Sequence, residues 1–466
     1  MTLTAIVWFR RDLRLSDNPS LWHATRWADA VVPVFVDVAA HFTGGAERAW
    51  LAASVTALDA SLAALGSALV VRRGPAESAL AALVAETGAT HVYASRGWDT
   101  PSRAEEVLVT GALGGAGAEL IWSESRYLVA PGSLLTGSGT PYQVFTPYHR
   151  AWQTALDPET HAQAPEAIPA RQRWPTSDHA VTAARAVPPG WTPGETGARE
   201  RLERFISRGG PDSYEAQHDR PDLAGTSELS PHLAFGEISA GRVLAAVRES
   251  GIEHAATHPF IRQLAWRDFA ADTLLRAPGM DREPLNARFA RMPWREDSED
   301  LAAWREGRTG FPLVDAGMRQ LAQTGWMHNR VRMVVGSFLT KDLLIRWQEG
   351  EAHFAESLLD ADVAQNSFNW QWVAGSGADA APYFRIFNPT TQGKRFDPEG
   401  SYVRRWVPEL AGMPTRWIHE PHAAPADVLR DAGIIGGAGY PQPILDHAEA
   451  RLRALAAYEA VRRPEA

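Results

Sequence analysis

Five short apolar runs, TAIVWF, AVVPVFV, ALVVR, THVYAS and AELIW, recur through the first 130 residues with longer amphipathic stretches between them. That alternation constrains the fold more than any other feature of the chain. These runs read as strands, and the segments near 46–65, 76–87 and 101–113 read as helices between them. Strand–helix alternation predicts an α/β domain built on a doubly wound parallel sheet, Rossmann-like in layout. The first run is followed by RRDLRLSDNP, so the G-x-G-x-x-G dinucleotide fingerprint is absent.

Between 131 and 197 the pattern dissolves into LDPETHAQAPEAIPARQRWP and VPPGWTPGETGA, which predicts a long linker lying on a surface. Helical periodicity dominates afterwards, with long helices expected over 238–250, 258–276, 313–324, 326–348 and 351–364. The predicted division is an α/β domain over 1–130, an interdomain linker over 131–197 and an all-α domain over 198–466.

With no cysteine in 466 residues, disulfides, thiolate nucleophiles and cysteine-held iron–sulfur clusters are excluded. The formal charge of −9 argues weakly against a polyanionic partner, although one basic face is enough to bind phosphates. MTLTAIVWFRRDLRL has too short an apolar run for a signal peptide, and no run reaches membrane-spanning length. A cytoplasmic protein without a membrane partner is expected. Tryptophan is abundant, 18 copies against 9 tyrosines, and core packing accounts for part of that. It does not account for NSFNWQWVAGSG, where Trp370 and Trp372 flank a glutamine.

The segment GWMHNRVRMVVGSFLTKDLLIRW gathers Trp326, His328, Asn329, Arg330, Arg332 and Met333. Asn329 and Met333 are four apart and share a helical face, which suits a pocket for a flat heterocycle. The plainer alternative is a helix end with surface arginines, and His328 reads as structural. In LLDADVAQNSFNWQW, Asp360 and Asp362 precede an expected loop carrying Asn366 and Asn369. Two acids at this spacing could bind a metal, although no histidine or third carboxylate follows at ligand spacing, and they could equally accept hydrogen bonds from a ribose or a flavin edge. GTSELSP reads as a helix start with Ser230 as N-cap and Pro231 at the first helical position. Free N–H groups beside Thr226 and Ser227 would suit a pyrophosphate.

VWFRRDLRLSDNP, YQVFTPYHRAW, GTSELSPHLAFGEIS, WRDF, GRTGFPLVDAGMRQLAQTGWMHNRVRM, FLTKDLLIRW and WQWVAGSGADAAPYFRIFNPTTQGKRFD together resemble the photolyase/cryptochrome flavoproteins. The likeness is greatest to bacterial class I cyclobutane pyrimidine dimer (CPD) DNA photolyases and spans nearly the whole chain in the family's order. It implies an N-terminal antenna domain, a C-terminal helical domain holding folded FAD, and light-driven repair of UV-damaged DNA by a monomer. Tyr214, Thr226, Ser227, Leu229 and Ser230 match the family's phosphate-side FAD contacts. Arg267, Trp326, Asn329, Arg332, Asp360, Asp362 and Asn366 match contacts nearer the isoalloxazine and ribose, with Asn366 facing flavin N5. The resemblance makes Trp370, Trp347 and Trp294 an electron relay. It makes Trp266, Trp372 and Met333 the walls of a pocket for a flipped-out lesion, with Asn329 bonding a pyrimidine edge. Arg330 and Arg385 become phosphate contacts.

Three positions depart from the pattern. Glu228 and His218 stand where relatives carry basic residues. Gln263 stands where CPD photolyases have a lesion-facing glutamate, as in (6-4) photolyases, but Met327 and His328 do not supply the histidine pair those enzymes use. A cryptochrome-type photoreceptor and (6-4) photoproduct repair are the alternatives. Pro101-Ser102 replaces the Asn-Glu pair of folate-binding relatives, so a deazaflavin is expected over folate as a second, antenna chromophore.

Overall fold

In the computed structural model, residues 3–156, 164–169, 175–379, 384–434 and 439–462 are described. The chain opens with five strands: β1 (Thr4–Phe9), β2 (Ala30–Asp37), β3 (Val70–Arg73), β4 (His91–Ser95) and β5 (Glu119–Ser123). They form one parallel sheet in the order β3-β2-β1-β4-β5. Four helices alternate with them: α1 (Pro19–Trp27), α2 (Gly45–Ala64), α3 (Ala76–Thr87) and α4 (Thr100–Gly115). Ala5, Val7 and Phe9 face one apolar cluster while Ile6 and Trp8 face another, so both sides of β1 are covered. That double burial is why the strands read as unbroken apolar runs. Helix α1 is not among the expected helices, although its start is marked in SDNP: Asn18 accepts from Leu21 N and Pro19 opens the helix.

The stretch expected as linker holds a helix, α5 (Phe145–Ala155), whose Phe145, Tyr148 and Trp152 are buried at helical spacing. Its parts at 157–163 and 170–174 lie outside the described residues. Helices α6 (Glu195–Ser207), α7 (Gly210–Gln217), α8 (Ser230–Ala234), α9 (Ala240–Glu249) and α10 (Pro259–Arg276) come next. They are followed by α11 (Ser298–Glu306), α12 (Pro312–Thr324), α13 (Asn329–Ser337), α14 (Trp347–Ser357) and α15 (Val363–Ala374). The chain closes with α16 (Pro389–Phe396), α17 (Ser401–Trp406), α18 (Ala426–Asp431) and α19 (His447–Arg462).

Two expected helices are interrupted. In place of one helix over 326–348, Gly325 ends α12 in the left-handed region and His328 caps α13. A π turn over Phe338–Asp342 follows, and Leu344 at φ +57 stops propagation before α14 begins at Trp347. The carbonyls released there are met by arginines: Arg295 Nη1 donates to Leu343 O at 3.1 Å and Arg453 Nη2 to Asp342 O. In place of a helix over 351–364, α14 stops at Leu358, extended at ψ 134, and the chain re-enters helix at Val363.

The chain divides into two compact units. The first comprises Met1–Asp212, Ser227–Pro278 and Leu359–Ala364, and the second Ser213–Thr226, Gly279–Leu358 and Gln365–Ala466. The stretch from α8 to α10 thus groups with the sheet, so the compact units do not follow the 198 boundary read from periodicity. At Gly236 (φ +65) the chain passes so close to Arg11 O in the first unit that a Cβ would overlap it.

Candidate cofactor and nucleic-acid site

In the first unit the site residues hang on α10, which starts cleanly because His258 accepts from Phe260 N and Pro259 needs no donor. Trp266 is half-buried and stacked on Phe145, with centroids 3.5 Å apart and planes within 7°. Gln263 is exposed, and its Nε2 donates to Pro259 O at 3.0 Å. Arg267 reaches back to donate to Arg126 O and, at 3.1 Å, to Leu233 O, with its guanidinium 4.6 Å from the Tyr127 ring. Arg126 in turn pairs with Asp362 at 2.8 Å, both side chains under a tenth exposed. Asp360 is buried beside this pair in sequence.

The GTSELSP turn differs by one residue from its expected form. Leu229 is the N-cap and Ser230 already helical, so no side chain caps α8. Ser227 is half-buried, Leu229 buried and Ser230 exposed. Glu228 sits at φ +53 and ion-pairs with Arg201, which gives this departure a structural role.

In the second unit, Asn329 opens α13 exposed, its Nδ2 4.0 Å from Met333 Sδ, the face-sharing that their spacing predicts. Arg332 donates to Met327 O at 2.8 Å, and Trp326 is buried edge-on to His328. His328 accepts from Arg330 N and caps the helix. Burial drives its ring down to about 4, against the pull of Asp219, so it stays neutral. Arg330 is not a free cation: Asp219 takes both Nε, at 3.1 Å, and Nη2. His218 stacks on buried Tyr214 and bonds its carbonyl, while Thr226 is half-buried.

The segment 363–374, expected to begin as a loop, is helix α15 throughout, and this sorts its residues by face. Asn366 and Trp370 are one turn apart. Asn366 Nδ2 donates to Glu351 Oε1 at 2.8 Å, and burial pushes the Glu351 carboxyl up to about 7, the Asn366 bond opposing. Trp370 is 4 % exposed, with Phe354 at 5.0 Å and Trp304 at 6.2 Å. Trp347 is buried at the start of α14, and Trp294 packs half-buried against the apolar cluster that includes Phe289, Met292 and Leu344. Trp372 turns elsewhere, lining a cavity of about 30 Å³ with Lys341, Phe384 and Arg385. The intervening Gln371 is fully used: it accepts from Leu285 N and donates to Met280 O and Glu283 O. Glu351 and Trp304 lie outside the motif stretches, and nothing within FLTKDLLIRW singles out Lys341 from its neighbours. They are ordinary residues made notable by burial.

Among the described residues no group of acids and histidines could hold a metal ion, and no helix is long and apolar enough to cross a membrane. The donor set of each unit suits FAD chemistry. Guanidinium and carboxylate groups such as Arg126, Arg267 and Asp362 are of the kind that suits phosphate and hydroxyl oxygens, and the half-buried Asn366–Glu351 pair is of the kind that suits a heterocycle edge.

Known proteins match along the whole chain. The FAD binding domain of DNA photolyase matches residues 260–460, and the DNA photolyase family matches residues 5–170. A deoxyribodipyrimidine photo-lyase of Agrobacterium fabrum is 44% identical, covering 99% of both chains. Cryptochrome-1 of Arabidopsis thaliana is 36% identical over 96% of this chain and 69% of its own. The crystal structure of a bacterial class III photolyase from Agrobacterium tumefaciens superposes with a TM-score of 0.95 at 44% identity, covering 100% of this chain and 98% of its own.

Proposed function

This chain belongs to the DNA photolyase family, and we propose from that premise that it is a deoxyribodipyrimidine photo-lyase repairing cyclobutane pyrimidine dimers in DNA with light. The observation that carries the reading is the sorting of α15. Asn366 and Trp370 share one face with Glu351 and a ring cluster, while Trp372 lines a separate cavity beside exposed Arg385. One helix thereby serves a cofactor side and a nucleic-acid side.

FAD, when bound in its reduced form, supplies the photoexcited electron that splits the cyclobutane ring and takes it back. Tyr214, Thr226, Ser227, Leu229 and Ser230 hold its phosphate side in this reading. Arg267, Trp326, Asn329, Arg332, Asp360, Asp362 and Asn366 hold the ring and ribose. Trp370, Trp347 and Trp294 relay electrons inward to restore the reduced form. A lesion inside a duplex cannot reach a buried ring, so it must be flipped out, at a cost of a few kcal/mol that is least for a damaged site. Trp266, Trp372 and Met333 flank the extruded bases, and Gln263 and Asn329 bond their edges. Arg385 holds phosphate, with Arg330 as a weaker contributor because Asp219 already balances it.

The domain assignment, antenna over 1–130, linker over 131–197 and FAD-binding region over 198–466, is part of this proposal. So are a monomeric state, a cytoplasmic location and a deazaflavin antenna. The crevice beyond β1 and β4, where strand order reverses, is where a doubly wound sheet takes its ligand. The absorption spectrum of purified protein tests for the antenna.

The repair reading is tested by illuminating the reduced protein with an oligonucleotide carrying one thymine cyclobutane dimer. Restored thymine is expected. Failure to restore it with lesion binding saturated overturns the enzyme reading in favour of a cryptochrome-type photoreceptor. Repair confined to (6-4) photoproducts overturns the substrate and makes Gln263 its determinant.

A further inference from the structure

We propose that Lys341 is a positioning residue for nucleic acid: it fastens the backbone at Arg385 beside Trp372, so that guanidinium and indole are presented to DNA as one unit. This rests on the repair reading for the identity of the ligand.

Lys341 lies in the π turn at the end of α13 and is 3 % exposed. Lysines on a protein's outer layers run their stems along apolar surface and put the ammonium in water. This one does the opposite. Its Nζ donates to Arg385 O at 2.6 Å and sits 4.2 Å from the centre of the Phe384 ring. Those are its only close polar and aromatic partners among the described residues. The neighbouring Asp342 is engaged by His447 at 2.5 Å. An ammonium with three donors and one carbonyl acceptor is poorly compensated, and burial accordingly pulls its pKa down to about 7, with Asp342 opposing. For stability alone, an apolar side chain of the same length would serve as well or better.

What the amine holds is the segment 384–387. Phe384 stacks on Tyr458 of α19 at 4.5 Å with planes 10° apart, and Phe387 N donates to Ser337 Oγ at 3.2 Å. Lys341 supplies the bond between those two anchors, at the residue whose own guanidinium is exposed. Lys341, Arg385 and Trp372 line the same cavity, about 30 Å³, room for about one water molecule. Moving the Arg385 carbonyl therefore moves a phosphate contact and opens the wall beside the indole.

The test uses holoprotein with Lys341→Met, Arg385→Ala and the double variant, measured for affinity to a duplex with one thymine dimer and to undamaged duplex. Thermal midpoint and flavin absorbance report the fold. Lys341→Met is expected to weaken dimer binding about fivefold while leaving the midpoint equal or higher, and to add under about twofold in the Arg385→Ala background, because both changes remove one contact. Binding within about twofold of wild type, or a full additive loss in the double variant, overturns the proposal. Should methionine lower the midpoint, Lys341→Gln, which keeps an N–H donor for the Arg385 carbonyl, is expected to bind within about twofold of wild type, and a fivefold loss in that variant overturns the proposal. Wild-type protein that shows no preference for the dimer overturns the repair reading instead, and the Lys341–Arg385 coupling is then decided on undamaged duplex.

Discussion

Trp370 lies on the Asn366 face of α15 and Glu351 bonds Asn366 from α14, and each makes a separable prediction. Replacing Trp370 with phenylalanine keeps an aromatic ring against Phe354 but removes a readily oxidised indole. Photoreduction of oxidised flavin should fall at least about tenfold, while repair by chemically pre-reduced protein persists, since the relay does not touch the lesion. Unchanged photoreduction would put the electrons on another route, and Trp304, in contact with Trp370, is then the first residue to replace. The Glu351 carboxyl has an ordinary value of 4.5 and a folded value raised to about 7. Folding therefore takes up a proton between those values. This group's contribution is most favourable below 4.5, declines as pH rises toward 7 and is flat above. Glu351→Gln should remove that decline and, compared with wild type at pH 8, raise stability by on the order of 1–2 kcal/mol, discounted for partial exposure. Urea unfolding of both proteins at pH 5 and pH 8 reads the difference.

At the scale of elements, one carboxylate of α10 ties that helix to two other segments of the first unit. Asp268 Oδ2 accepts from Leu128 N and Val129 N at 3.0 Å and from Trp152 Nε1 at 2.8 Å, so it ties the chain after β5 and helix α5 to the helix bearing Gln263, Trp266 and Arg267. Alanine there leaves two buried donors and one half-buried donor without that acceptor. The expected loss is about 3 kcal/mol of unfolding free energy, measured by denaturant titration. Asparagine, which keeps one acceptor oxygen, should lose less. This is also why a proline-rich stretch that reads as linker contains an ordered helix. The apolar triplet of α5 is in the sequence, but the acceptor that orients Trp152 lies 116 residues away.

For the whole molecule, the formal charge of −9 means that DNA affinity must come from local cations. Raising salt should weaken binding in proportion to the phosphates neutralised, with log affinity falling by about 0.9 per phosphate per log unit of salt. Arg385 has no ion-pair partner among the described residues, whereas Arg330 is held by Asp219. Arg385→Ala should thus lower the salt slope by about one, and Arg330→Ala by clearly less. Equal effects would show that Asp219 releases Arg330 when DNA arrives.

Local chemistry carries the strand–helix alternation, the parallel sheet and the family motifs, because buried strands must be apolar and amphipathic helices must repeat at their own period. The amino-acid order alone therefore determined the fold class and the residues to examine around Asn329, Asn366 and the paired tryptophans. It could not place the helix breaks at Leu344 and Leu358. A left-handed leucine is locally unfavourable and persists only because Arg295 and Arg453 arrive from remote segments to take up the freed carbonyls. Nor could it tell which charges are spent and which are available. Asp219 and Arg330, Lys341 and the Arg385 carbonyl, and Glu351 and Asn366 are distant or unremarkable in sequence. Only folding brings them within bonding distance and out of water, where pairing and desolvation set their charge and their use.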